Sequence, residues 1–239
     1  CLAIPFALVA IYSLNLFYGT GAAFWDMGLF AHFAAFSDAW PMPWPDFLHR
    51  DPGPRPTFFS IHLMPIFYLT SALHKLVPFL PPAAWLSVLQ GLWAGLIGLA
   101  VFMLCARPGT ILIALLASLG TALCGPMLAA VGFPHVELAI PALFLMFFAL
   151  RSARHRVGSY AALLLCFAVR EDAGFHVAGP LLLLAGAQWL SGRASAETRE
   201  NVSVAIVGLM YSLTAVTLQH LGFPTELSQL ERMYLGEPA

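Results

Sequence analysis

Apolar residues run along this chain in long blocks, interrupted by short clusters of prolines, glycines and charges. The blocks cover residues 1–18, 82–106, 110–130, 137–150, 158–169, 173–190 and 201–222. A helix needs roughly 20 apolar residues to cross a bilayer core of ~30 Å, and several of the blocks reach that length. Hydrocarbon offers no partner for a bare backbone amide, so blocks of this kind predict helices. The expected fold class is all-α, a polytopic transmembrane helical bundle with residues 1–239 as one transmembrane domain. The first block opens without a preceding polar segment and the last polar stretch stops at Ala239, so the chain reads as the N-terminal part of a longer one.

The breaks between blocks differ in kind. Arg107-Pro108-Gly109 is a tight positive turn that makes 82–106 and 110–130 a helical hairpin. Residues 19–56 form the most irregular stretch, with six prolines between Pro41 and Pro56, each lacking a backbone donor. Such a backbone belongs outside the hydrocarbon. Within it, 27–38 is predicted to be a short amphipathic helix resting on the membrane. Residues 57–76 are predicted to be helical, and their pattern leaves open whether they cross or lie in the interface. The block 158–169 is too short to cross alone, which places Arg170-Glu171-Asp172 in a recess below the membrane surface.

Composition agrees with this pattern. Hydrophobic residues make up 60% of the chain and charged residues 10%, against about 25% charged in soluble domains. Mean hydropathy is +0.81. A net charge of −1 excludes a basic nucleic-acid footprint. Phosphate loops, Cys-x-x-Cys and His-Glu-x-x-His are all absent. Cys105, Cys124 and Cys166 lie in apolar blocks, where thiols act as small hydrophobes, and this argues against disulfides and a metal site. No cofactor is expected. Short loops holding Arg107, the 151–156 cluster, Arg193 and Arg199 mark the cytoplasmic side. The other face is acid-rich, with Glu137, Glu171, Asp172, Glu226 and Glu231.

Ionisable side chains at membrane depth are costly, and so they are candidate functional groups. Asp26 follows the first block and is read either as the N-cap of the next helix or as a site residue. His62 lies within a hydrophobic segment, as a packing residue or a substrate contact. His135 and Glu137 flank a helix start, where the macrodipole alone favours the carboxylate. In Arg170-Glu171-Asp172, a cation beside two carboxylates holds them ionised or clamps a phosphate or sugar. Trp25, Trp40 and Trp44 around the proline-rich loop serve as belt anchors or as sugar-stacking rings.

Five motifs then line up in order: Trp25-Asp26-Met27-Gly28-Leu29-Phe30, His62-Leu63-Met64-Pro65-Ile66-Phe67-Tyr68-Leu69, Leu89-Gln90-Gly91, His135-Val136-Glu137 and Arg170-Glu171-Asp172. Together they resemble the landmarks of the bacterial domain-of-unknown-function family 2079 of membrane proteins, over about residues 20–190. Where that family has Asp-Phe-His this chain has Gly132-Phe133-Pro134-His135, and Arg170 replaces a lysine. The family is similar to membrane glycosyltransferases of the C-type fold, and the resemblance implies a bundle of that type in the bacterial inner membrane. It further implies interfacial helices and an acidic residue in a first outer loop, with a polyprenyl-phosphate-linked sugar as substrate. On that resemblance, 57–76 lies on the outer face within an outer loop 19–81, with the site towards the periplasm or exterior. Asp26, Glu171 and Asp172 become the catalytic candidates, and His62, His135, Glu137 and Arg170 the substrate-binding ones. Membrane lipid is the expected surrounding partner. Two rival functions are a non-catalytic subunit packed against other membrane protein subunits, and a lipid or solute transporter.

Overall fold

A computed structural model describes residues 1–21, 24–43, 57–132, 135–193 and 195–223, with the backbone alone for 24–26. Most of the proline-rich segment, the tail from 224, and with them Trp44, Glu226 and Glu231, lie outside the described residues, as do the side chains of Trp25 and Asp26. The described chain is all-helical apart from a lone antiparallel bridge between Pro43 and Thr57. Its helices are α1 (Ala3–Asn15), α2 (Phe24–Phe36), α3 (Ile66–His74), α4 (Pro82–Cys105), α5 (Ile111–Ala122), α6 (Gly125–Gly132), α7 (Ala139–Ser152), α8 (Arg156–Phe167), α9 (Ala173–Leu190) and α10 (Ala196–Gly222). Among the described residues, five stretches are long and apolar enough to cross a membrane: Ala3–Thr20, Pro82–Cys105, Ile111–Gly132, Ala173–Leu190 and Ala196–Gly222. The chain is therefore a multi-pass membrane protein by helix length and composition.

Several boundaries depart from the expected ones, each for a local reason. Residues 57–76 do not form one helix. A 3-10 turn at Phe58–Ser60 is followed by non-helical backbone, and α3 begins only after Pro65, a residue that cannot donate to a preceding carbonyl. At nine residues, α3 is about 14 Å long and cannot span. The segment 110–130 breaks at Leu123-Cys124 before Gly125-Pro126, giving α5 and α6. Conversely, α10 starts at Ala196, inside the stretch that polarity marked as loop. There the Ser195 side chain accepts from the Thr198 amide, while Thr198 Oγ1 accepts from Ser195 N–H at 3.0 Å, a reciprocal cap that satisfies the first turn. The same Thr198 hydroxyl donates to Gln188 Oε1 at 2.9 Å and so ties the end of α9 to the start of α10.

The chain divides into two compact units, residues 1–37 with 66–169 and residues 38–65 with 170–239. In the first, α4 is the hub against which α1, α2, α5 and α7 pack, and α8 pairs with α7. Close approach to α1 is possible because Gly91, Gly95 and Gly98 face it, and a Cβ at Gly91 would meet Phe6 O at 2.5 Å. The expected surface-lying helix at 27–38 is present as α2 but differs in placement. Met27, Phe30, Ala31, Phe33, Ala34 and Ala35 are all buried, and a helix that is apolar on every side is driven inside rather than onto a surface.

In the second unit α9 and α10 form the main contact, and the 3-10 turn at 58–60 packs on α10. Gly174 and Gly208 meet at the crossing, where a Cβ on Gly174 would stand 1.9 Å from Gly208 O. No side chain fits there, so the two glycines set the distance between the helices.

Candidate functional site

The charged triplet joins α8 to α9, and its three residues act separately. Glu171 is 8% exposed. Its Oε2 accepts from the Leu63 backbone N–H at 2.8 Å, and its Oε1 lies 3.0 Å from His62 Nδ1. One carboxylate thus clasps two successive residues more than a hundred positions earlier in the chain. The 61–65 backbone is not helical, so without Glu171 the half-buried Leu63 amide would lose this partner, and a hydrogen bond to a carboxylate contributes about 1.5–3 kcal/mol. His62 is held by the same group, so its ring orientation follows from Glu171.

Arg170 and Asp172 form a two-bonded fork. Arg170 Nε donates to Asp172 Oδ1 at 2.6 Å, and Arg170 Nη2 donates to Asp172 Oδ2. Asp172 is also the residue before the first turn of α9, and His176 Nε2, one helical turn on, stands 3.5 Å from Asp172 Oδ2. Partial burial alone would push the Asp172 carboxyl up, but the hydrogen bond and charge of Arg170, helped by His176, outweigh it and hold the group below its ordinary range. The Nε–Nη2 edge of the guanidinium is thus matched by a carboxylate, in the planar pairing that carboxylates and phosphates share.

In the first unit the His135–Glu137 pair stands at the entry to α7. His135 is extended, Glu137 lies in the 3-10 turn Val136–Leu138, and His135 Nδ1 is 3.4 Å from Glu137 Oε1. Phe30 lies over the His135 imidazole with ring centroids 4.2 Å apart. Behind this pair, Gln90 Nε2 donates to the His135 carbonyl at 2.6 Å. The Leu89-Gln90-Gly91 motif therefore has a structural use, since Gln90 fixes the backbone from which His135 projects.

The expected site residues fall into these two clusters. His62, Arg170, Glu171 and Asp172 come together in the second unit, and His135 and Glu137 in the first. Asp26 lies in the first turn of α2, with its side chain outside the described residues. His176 and Gln90 carried no assigned role in the sequence. The i, i+4 spacing from Asp172 to His176 was a readable signal, whereas the contact from Gln90 to His135 spans 45 positions and has no sequence signature. Among the described residues no three His, Cys, Asp or Glu side chains gather as metal ligands. A separate cavity of about 560 Å³, lined by Trp189, Ser195, Thr198, Arg199 and Val202 among others, lies at the turn between α9 and α10 and contains none of the expected site residues. Compared with family models, curated proteins and solved structures, the chain matches none.

Proposed function

We propose that this chain is the membrane-embedded part of a glycosyltransferase resembling the C-type fold, using a polyprenyl-phosphate-linked sugar. The observation that carries this reading is the α8–α9 joint, where an arginine is oriented by a two-bonded aspartate fork beside a buried carboxylate that fixes a histidine. So ordered a charge cluster in a chain with only 10% charged residues is costly to retain unless it has a use. Arg170 grips the lipid phosphate, Asp172 keeps the guanidinium in plane, and Glu171 acts through His62, which contacts substrate. The resemblance adds Asp26 as general base, with His135 and Glu137 as further substrate contacts. In the transfer, the bond from the anomeric carbon to the phosphate oxygen breaks and one to the acceptor oxygen forms. The acceptor's proton passes to a carboxylate base, and the lipid phosphate leaves with the bonding pair, its charge stabilised by Arg170.

The test uses the chain in lipid nanodiscs, with a radiolabelled decaprenyl-phosphoryl hexose as probe. Arg170→Gln combined with Asp172→Asn, which removes both charges together, is expected to weaken binding at least tenfold while leaving the helical content unchanged. Equal binding by the double variant would remove the phosphate assignment. Asp26→Asn is expected to retain binding and lose transfer. A chain that binds no such lipid is instead a non-catalytic subunit or a carrier of another solute.

A further inference from the structure

Gln90 and Trp93 lie three positions apart on α4, so their side chains leave the helix on one face with neighbouring Cβ atoms. Gln90 is 0% exposed and Trp93 is 7% exposed. The orientation of the Gln90 amide is settled by its partner, because the His135 carbonyl can only accept and must face the nitrogen. That leaves Gln90 Oε1, an acceptor, and Trp93 Nε1, a donor, both buried and without a hydrogen-bond partner among the described residues. Other buried polar groups on the same helix are matched. Trp85 Nε1 donates to Ala34 O at 3.1 Å, and the Ser87 and Ser13 hydroxyls pair at 3.0 Å. A helix that satisfies its polar groups elsewhere and leaves one acceptor and one donor on a shared face is built for a group that gives one hydrogen bond and takes one. A hydroxyl does both. A phosphate or carboxylate would meet the Trp93 donor but be repelled by the Gln90 oxygen, and an ammonium would have the reverse mismatch.

We propose that Gln90 and Trp93 recognise a single uncharged hydroxyl of the substrate sugar, which donates to Gln90 Oε1 and accepts from Trp93 Nε1. The inference rests on the reading of His135 and Glu137 as substrate contacts. Those two side chains are 36% and 25% exposed, and Gln90 is bonded directly to the His135 backbone, so the pair continues the same cluster inward. The inference adds the chemical group that is read and the residues that read it.

The experiment labels the indole nitrogens with ¹⁵N in the chain held in lipid nanodiscs. The Trp93 N–H resonance is identified by its loss in Trp93→Phe, a change that keeps most of the ring packing. Probes are citronellyl-phosphoryl hexose, its set of monodeoxy analogues and citronellyl phosphate alone. The full conjugate is expected to move the Trp93 resonance downfield. One monodeoxy analogue should fail to move it and bind at least about tenfold more weakly, since it loses both hydrogen bonds. Trp93→Phe, which removes one of the two bonds, should lower affinity for the full conjugate by part of that loss while leaving citronellyl phosphate binding unchanged. If the conjugate binds, yet Trp93 stays unmoved or all monodeoxy analogues bind alike, a resident water fills the position and the hydroxyl assignment is overturned while the glycosyltransferase reading stands. If no conjugate binds any better than citronellyl phosphate, the sugar-donor reading falls and takes this inference with it.

Discussion

The unit built around α4 and the unit built around α9 and α10 both bury neutral polar side chains within helices, but the second also ties a run of three ionisable residues into a joint between helices. In the first, the buried polar groups are mostly neutral and work from within helices: Trp85, Ser87, Gln90 and Ser118 each bond a carbonyl or a hydroxyl on another segment. In the second, α10 likewise buries the neutral Thr198, Asn201, Ser212 and Gln219, and Arg170, Glu171 and Asp172 stand where one helix ends and the next begins, paired among themselves or with the irregular 62–63 backbone. The difference follows from cost. A neutral donor needs one partner to be buried, whereas a charge needs a counter-charge and further hydrogen bonds. Helix ends supply spare amides and room for both, and helix middles do not. The glycines differ as well, since Gly91, Gly95 and Gly98 make a graded approach between α1 and α4, while α9 and α10 touch backbone to backbone at Gly174 and Gly208.

That comparison is open to direct attack. The largest effect is expected from Gly174→Val, whose side chain has no space against Gly208 O, so α9 and α10 must separate at a cost of about 3 kcal/mol or more. Hydrogen-exchange protection should fall in α9 and α10 before it falls in α4 and α7, and a uniform loss would show that the two units do not open independently. Next comes Glu171→Leu, which removes two bonds to a carboxylate and should cost about 3 kcal/mol in thermal unfolding. Glu171→Gln keeps an acceptor for the Leu63 amide and should lose about half as much. Equal losses would mean that the carboxylate's charge, and not its reach to Leu63, is what counts.

A smaller effect of the opposite sign is expected from Arg154→Gly. Arg154 is held at φ 64° in the turn between α7 and α8, a conformation costly for a residue with a Cβ, and glycine should raise the stability of the first unit by about 1 kcal/mol. The smallest effect belongs to Asp172. Its folded-state carboxyl titrates below its ordinary value of 3.8, so it adds stability above that pH and loses it as pH falls through the lower folded value. Asp172→Asn should therefore flatten the stability profile below about pH 4 and leave its shape near neutrality unchanged. The group is partly exposed, so water screening keeps the effect modest.

Much of the helical plan was legible in the sequence because it rests on local chemistry. The turn Arg107-Pro108-Gly109 ends α4 and the block 82–106 forms α4 almost as read, since a long apolar run without breakers has no better alternative in hydrocarbon. Misreadings arose where one signal hid another. The polar stretch Glu197-Thr198-Arg199-Glu200 read as a loop, yet the Ser195–Thr198 cap makes it the first turns of α10. The apolar stretch 57–76 read as a helix, yet Pro65 divides it and the chain passes from one compact unit to the other at that point.

For the candidate site, the residue types were visible but their pairings were not. The carboxylate at position 171 stood out for its charge between apolar blocks, but its hold on His62 and Leu63 joins segments 108 and 109 positions apart. By itself the sequence determined that this chain is helical and membrane-spanning, because hydrophobic length and backbone hydrogen bonding are properties of contiguous residues. Only the tertiary structure decided that Glu171 serves the 62–63 backbone, that Gln90 supports His135 and that α2 lies buried. Those outcomes depend on which distant segment brings a matching donor, acceptor or apolar surface, and no run of neighbouring residues carries that information.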